Sequence, residues 1–218
     1  MKVLGITLAI IELFIFFIPA FLLKKYFKTL HSMNNIEYFW VCFTILTGIW
    51  EFFFVLNYDK AKSNSILLLE NKTHVWTNKY DITYVFPWKF SEVFYSEYGA
   101  YADRLYMAPL GIWSRIIEST HALFCGLFAL LSIYSFKKEK TRLTNKYILL
   151  VAIAMGSQLM NSLLYMGEYF IQTTTKTSVN YNTKKFPTGI LLLKRPFMWV
   201  NVLWTVMPAY IICYHLFA

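Results

Sequence analysis

The sequence predicts an all-α polytopic membrane protein, a bundle of five transmembrane helices, and two observations carry that expectation. Hydrophobic residues make up 57% of the chain and charged ones 15%, against roughly 25% charged in ordinary soluble domains. Apolar windows recur at Val3 to Leu23, Phe39 to Leu56, Ile112 to Tyr134, Tyr147 to Phe170 and Phe197 to Leu216, each long enough to cross a hydrocarbon core of about 30 Å. Any one of them could be a buried helix of a soluble protein. Five in 218 residues leave too little polar surface to cover them, so residues 1–218 read as a single membrane domain.

The first window follows Lys2, as a signal peptide would, but it ends in Phe21-Leu22-Leu23-Lys24-Lys25 with no small-residue cleavage pattern, and it is expected to stay as a span. Between the first and second windows lie Lys24, Lys25 and Lys28, and between the third and fourth Lys137, Lys138, Lys140, Arg142 and Lys146 face a single acid, Glu139. The excess of positive charge in these two connections places them in the cytoplasm and the N-terminus outside or in the lumen. The long outer loop Asp59 to Ala108 then holds six basic and six acidic residues and does not object. The loop Ile171 to Arg195 does object, because alternation puts it outside although it carries Lys176, Lys184, Lys185, Lys194 and Arg195 with no acid. Asn71-Lys72-Thr73 is a glycosylation sequon if lumenal. The formal net charge of +9 is expected to meet anionic headgroups rather than nucleic acid. Cys42, Cys125 and Cys213 fall within spans, which argues against a disulfide framework.

The outer loop is dense in rings, including Trp76, Tyr84, Trp88, Phe94, Tyr95, Tyr98, Tyr101 and Tyr106. Such a segment is expected to lie on the membrane interface, either as an aromatic belt or as a lid over a lipid entrance. No GxxxG pairing motif occurs within a span.

Polar groups inside spans are costly, roughly 2.5–3.5 kcal/mol for a charge at mid-depth, so several of them together imply an inward cavity. Glu12, Thr47, Glu51, Arg115, Glu118, His121, Gln158, Asn161, Glu168 and Asn201 are such groups. Glu12, with eleven residues before it, and Arg115 and Glu168, near span ends, are placed to reach headgroups. Thr47 and Glu51 share a helix face at a spacing of four, and Glu118 and His121 at a spacing of three. His121 can therefore donate to Glu118 or exchange a proton with it, and the same groups can equally form a hydrogen-bonded cluster that only ties helices together. Asn161 and Asn201 can complete either network. Zinc would need further ligands beside His121, but His31, His74 and His215 lie in loops or at the chain end. In the fifth span Asn201 and Trp204 point together and Pro208 kinks the helix. An indole beside acids in an apolar cavity suits a positive ligand or transition state, and it suits ordinary packing as well.

These residues resemble the EXPERA-domain family, and within it the emopamil-binding-protein branch of sterol Δ8 to Δ7 isomerases. The shared features are Trp50-Glu51 followed by an aromatic run to Tyr58, Glu97-Tyr98 with Asp103-Arg104, Glu118-Ser119, Gly156 with Asn161, Leu164-Tyr165 and Glu168, and Asn201, Trp204 and Pro208 at their family spacing. The likeness runs from about Phe39 to the C-terminus. It implies a five-helix endoplasmic-reticulum protein with a lumenal N-terminus, a sterol cavity and no cofactor. The implied reaction protonates a ring double bond, forms a carbocation near C8 and removes a C7 proton. On this chain Glu118 matches the acid, Glu51 the carboxylate that relays protons or steadies the cation, and Asn201 and Trp204 the lining. The family histidine one turn before Glu51 is replaced by Thr47, and His121 stands where the family has threonine, so the resemblance implies an imidazole moved across the cavity. Asn161 stands where aspartate is commoner. Three functions follow as alternatives: a sterol isomerase using Glu118, Glu51 and His121, with Thr47, Asn161, Asn201 and Trp204 binding the ligand; a non-catalytic protein that binds a sterol, another lipid or an amine, as in the family's sigma-2 receptor branch; or an accessory subunit of a larger membrane-protein complex.

Overall fold

A computed structural model of the chain describes residues 1–108, 112–136, 138–139, 142–181, 183–184 and 199–217. Phe197, at the expected start of the fifth span, and the loop cations Lys137, Lys140, Lys185, Lys194 and Arg195 lie outside them. Among the described residues five helices are long and apolar enough to cross a membrane: Gly5–Tyr26, Asn35–Leu56, Ile112–Ser135, Asn145–Thr174 and Val200–Phe217. The chain is an all-α integral membrane protein on that evidence.

Local chemistry sets the element ends. Asn34 starts the second span by accepting from the backbone N–H groups of Ile36, at 2.9 Å, and Glu37, at 3.2 Å, which satisfies donors that no helical partner can reach. A surface helix, Tyr58–Asn71, follows at once and stops at Lys72, whose left-handed φ of 53° ends helices. Pro87 opens the next helix, Pro87–Glu97, where its missing N–H costs nothing. The third span is α-helical over Ile112–Thr120 and Phe128–Ser135 but π-helical over His121–Leu127, a rare geometry concentrated at functional sites. Gly126, within that segment, meets Gly48 of the second span so closely that a Cβ on Gly48 would sit 2.8 Å from the Gly126 Cα. Close helix pairing therefore occurs without a GxxxG motif, because each helix contributes one glycine to it.

Contacts at the two ends establish the alternation of the spans. At one end Lys2–Leu4 pairs antiparallel with Lys79–Asp81, and Asn180, beyond the fourth span, donates to Asp103 Oδ1 at 2.6 Å. The N-terminus, the 57–108 segment and the start of the 175–195 loop thus share a side. At the other end Glu37 accepts from the Tyr147 hydroxyl at 2.6 Å and lies 2.5 Å from His215 Nε2. Lys24 is buried there rather than free for headgroups, donating to the carbonyls of Leu30 at 3.0 Å and Met33 at 2.5 Å. His215 is likewise a tie between the second and fifth spans rather than a loose chain-end residue. Its replacement by alanine is expected to cost about 1–2 kcal/mol, read as a lower midpoint in an SDS unfolding titration; an unchanged midpoint would show that the tie carries no stability.

Part of the aromatic segment packs inward rather than spreading as a belt. Phe90, Tyr95, Tyr98 and Tyr106 are buried in a helical layer packed on the bundle, with Tyr95 stacked on Phe54 at 4.2 Å. Its rings are drawn inward because the ends of the second and third spans leave apolar surface there to cover. Among its rings Phe86 and Trp88, stacked on each other at 4.8 Å, are exposed and suit an interface. All three cysteines are free thiols.

Candidate functional site

Four spans and the outer layer each turn one face toward a single cavity of ≈ 70 Å³. The second span supplies Thr47, Trp50 and Glu51, the third Ile117, Glu118 and His121, the fourth Asn161, Ser162 and Tyr165, and the fifth Val200, Asn201 and Trp204. Phe94, Tyr95, Tyr98 and Tyr106 close its outer end. Thr47, Glu51, Glu118, His121, Asn161, Asn201 and Trp204, singled out in the sequence, therefore share one enclosure.

The pairing within it differs from the expected one. His121 does not bond to Glu118 on its own helix; its Nδ1 lies 2.5 Å from Glu51 Oε2 across the interface. Spacing along a helix sets the face and leaves the rotamer open, and Glu118 is claimed by two phenols from the outer layer. Tyr95 donates to its Oε2 at 2.8 Å, and Tyr106 donates to its Oε1. Burial pushes the phenols of Tyr95 and Tyr106 well above the usual tyrosine range, so both remain neutral donors.

A buried glutamine fixes the tautomer of His121. Trp40 Nε1 can only donate, and it does so to Gln158 Oε1 at 2.8 Å. The Gln158 amide nitrogen is thereby turned toward Thr44 Oγ1 and His121 Nε2, each at 3.2 Å. Nε2 accepts, Nδ1 carries the hydrogen, and a neutral imidazole donates it to Glu51. Glu51 Oε1 makes no hydrogen bond within the described protein. Thr47 donates back to the Thr44 carbonyl at 3.2 Å and takes no part in the pair.

A second chain runs along the outer wall. Tyr165 donates to Asp103 Oδ2 at 2.7 Å, so the 2.6 Å contact between the Tyr98 and Tyr165 hydroxyls has Tyr98 as donor. Tyr98 in turn accepts from Asn201 Nδ2 at 2.9 Å. Asn161 Nδ2 donates to the Ile117 carbonyl at 3.0 Å, and Ser162 donates to the Trp204 carbonyl at 2.9 Å. The Trp204 ring packs edge-on against Trp40 and Phe43, with His121 6.4 Å away.

Residues placed at headgroups by the sequence reading divide. Glu12 is buried and accepts from Trp50 Nε1 at 2.8 Å, with its Oε2 lacking a partner among the described residues. The strand Lys2–Leu4 and the layer above it lengthen the distance to water that eleven preceding residues suggest. Arg115 does face outward, over the Tyr58 ring at 4.8 Å, and Glu168 accepts from Gln172. The tyrosines at 95, 98, 106 and 165 were not legible as site residues; the one signal was that Tyr98 and Tyr165 sit inside the family-like segments.

Among the described residues the lining includes two carboxyls and an imidazole but no Lys or Arg. Such a lining suits a positive charge, and Trp204 contributes an indole to its wall. Comparison of the chain with family models, with curated proteins and with solved structures gives no match.

Proposed function

We propose that the protein is an EXPERA-type sterol Δ8 to Δ7 isomerase of the endoplasmic-reticulum membrane. The observation that carries this reading is that Glu51, Glu118 and the Trp204 indole line one cavity to which no Lys or Arg among the described residues contributes. A ring alkene is protonated only where the resulting tertiary cation is steadied, and fixed negative groups in a water-poor site do that best. The hydrogen bonding suggests roles reversed from those of the resemblance. Glu118, accepting from two phenols, is held as an anion suited to the cation. Glu51, with His121 donating to Oε2, is free to carry a proton on Oε1. Transfer of that proton to the alkene carbon leaves the positive charge at C8, and loss of the C7 proton to a carboxylate restores neutrality with the double bond moved. His121 positions Glu51 through that bond.

Thr47, which stands where the resemblance expects a histidine and spends its hydroxyl on the Thr44 carbonyl, favours a second reading, sterol or amine binding without turnover. A space of ≈ 70 Å³ holds about two waters at roughly 30 Å³ each, whereas drug-sized ligands fill roughly 300–1,000 Å³. Either function requires the bundle to open.

Solvent-to-substrate deuterium transfer tests the chemistry, and binding of a protonated lipophilic amine tests the assigned charges. In nanodiscs Glu118→Gln is expected to weaken the amine by roughly 10- to 100-fold, the worth of a hydrogen bond to a charged group, while Glu51→Gln changes it by less than about threefold. Trp204→Ala is expected to cost roughly 0.5–2 kcal/mol through lost cation–π attraction. Equal losses from the two glutamine variants would overturn the division of roles.

A further inference from the structure

We propose that the ligand enters the cavity sideways from the bilayer, through a groove between the third and fourth spans that takes the apolar body of a membrane sterol. This rests on the sterol reading above and adds the route. Two grooves flank the lipid-facing side of the third span. The larger, ≈ 530 Å³, runs between the second and third spans and includes Phe52, Phe53 and Leu123 in its lining. It shares no residue with the cavity lining, and the backbone contact of Gly48 with Gly126 seals its floor.

The second groove, ≈ 320 Å³, lies between the third and fourth spans, lined by Thr120, Phe124, Gly156, Ser157, Met160 and Asn161 among others. Asn161 is a wall of both this groove and the cavity, and a hydrogen bond from its amide to the Ile117 carbonyl spans the gap there, three residues along the fourth span from the Gln158 contact with His121. Opening that bond leaves the Ile117 carbonyl partnered and releases the Asn161 amide toward whatever enters. The Thr120 hydroxyl already reaches the same carbonyl, at 2.9 Å, so the carbonyl keeps a partner when Asn161 swings away. The π-helical segment begins one residue after Thr120, where the backbone departs from the tighter α register. The groove also has room by composition, since a Cβ on Gly156 would meet nothing within 4 Å. Thr120, Ser157 and Asn161 give the path polar contacts that hydrocarbon does not, and these suit a sterol hydroxyl passing along an otherwise apolar wall.

The empty space at Gly156 makes the route testable without strain on the fold. Protein in phosphatidylcholine nanodiscs is mixed with donor vesicles carrying dehydroergosterol, and energy transfer from tryptophan to the sterol gives both rates and equilibrium affinity. Gly156→Phe is expected to slow entry and exit alike by about tenfold or more, with the dissociation constant within about threefold of wild type, as a purely kinetic obstruction requires. Leu123→Phe, which fills the larger groove, is expected to leave the rates unchanged. Retained affinity shows that Gly156→Phe is folded; if affinity is lost, Met160→Phe at the same groove replaces it. Wild-type rates in a variant that fills this groove, or equal slowing by Leu123→Phe, overturn the route and leave the sterol reading standing. Failure of the wild type to take up sterol at equilibrium sinks the sterol reading itself.

Discussion

Purified protein given a Δ8 sterol in deuterated water is expected to place deuterium at C9, and Glu51→Gln to suppress that label by at least about 100-fold, the low end of what a positioned general acid contributes. C9 is informative because it reports protonation itself, before any product accumulates. Glu118→Gln is expected to suppress the label too, since a neutral amide cannot balance the cation, but it should also weaken amine binding. His121 gives the more discriminating variant. Its Nδ1 lies 2.5 Å from Glu51 Oε2, and its Nε2 is occupied by the Gln158 amide. His121→Thr is expected to reduce labelling without weakening sterol binding. Thr47 lies one turn before Glu51 on the same helix face, so adding Thr47→His to His121→Thr should restore part of the rate by supporting Glu51 from its own helix. No label in a wild type shown to hold sterol would defeat the enzymatic reading and leave binding without turnover. A label untouched by His121→Thr would keep the enzyme and discard the positioning imidazole.

The spans were legible because lipid imposes one rule on every residue of a window, and the described helices overlap all five. The cavity was legible for a related reason. Glu51, Glu118, His121 and Asn161 are too costly in hydrocarbon to face it, so they had to face one another. Which carboxyl His121 would choose was not legible, since that depends on rotamers and on two phenols supplied by a distant segment. Those phenols were hidden by composition: a ring-rich loop satisfies an interface as well as it satisfies a packed layer, and helical pieces as short as Pro87–Glu97 and Arg104–Met107 give too little period to tell the two apart. The Gly48–Gly126 contact has no signature in the sequence, because single glycines on separate helices form no motif although their backbones meet. Glu12 was misplaced because counting residues to the chain end ignores a strand and a helical layer laid over that end.

The largest stability loss is expected at a residue that the cavity never touches. Asp103 is fully buried, and its partners include three donors: the Tyr165 hydroxyl at 2.7 Å, the Asn180 amide at 2.6 Å and the Leu105 backbone N–H at 2.8 Å. These come from the fourth span, the loop beyond it and the outer layer, so one carboxyl holds three parts of the fold together. Asp103→Ala leaves all three donors in a site that water does not reach, at about 1–3 kcal/mol for each buried group left unpaired. Local relaxation recovers part of that, and a net loss of about 3–5 kcal/mol is expected, as for other broken buried charge networks. It should appear as a large drop in the SDS unfolding midpoint. The same carboxyl sets the proton order of the outer wall. Without it Tyr165 no longer has an acceptor that forces Tyr98 to donate outward, and Asn201 loses its fixed acceptor in Tyr98. Asp103→Asn separates the two effects, because the amide keeps the volume and one acceptor oxygen while turning an N–H toward a donor. Under conditions where that variant stays folded, sterol affinity should still fall if the order of the tyrosine chain matters to the cavity. Unchanged affinity in folded Asp103→Asn would confine Asp103 to holding the outer layer in place.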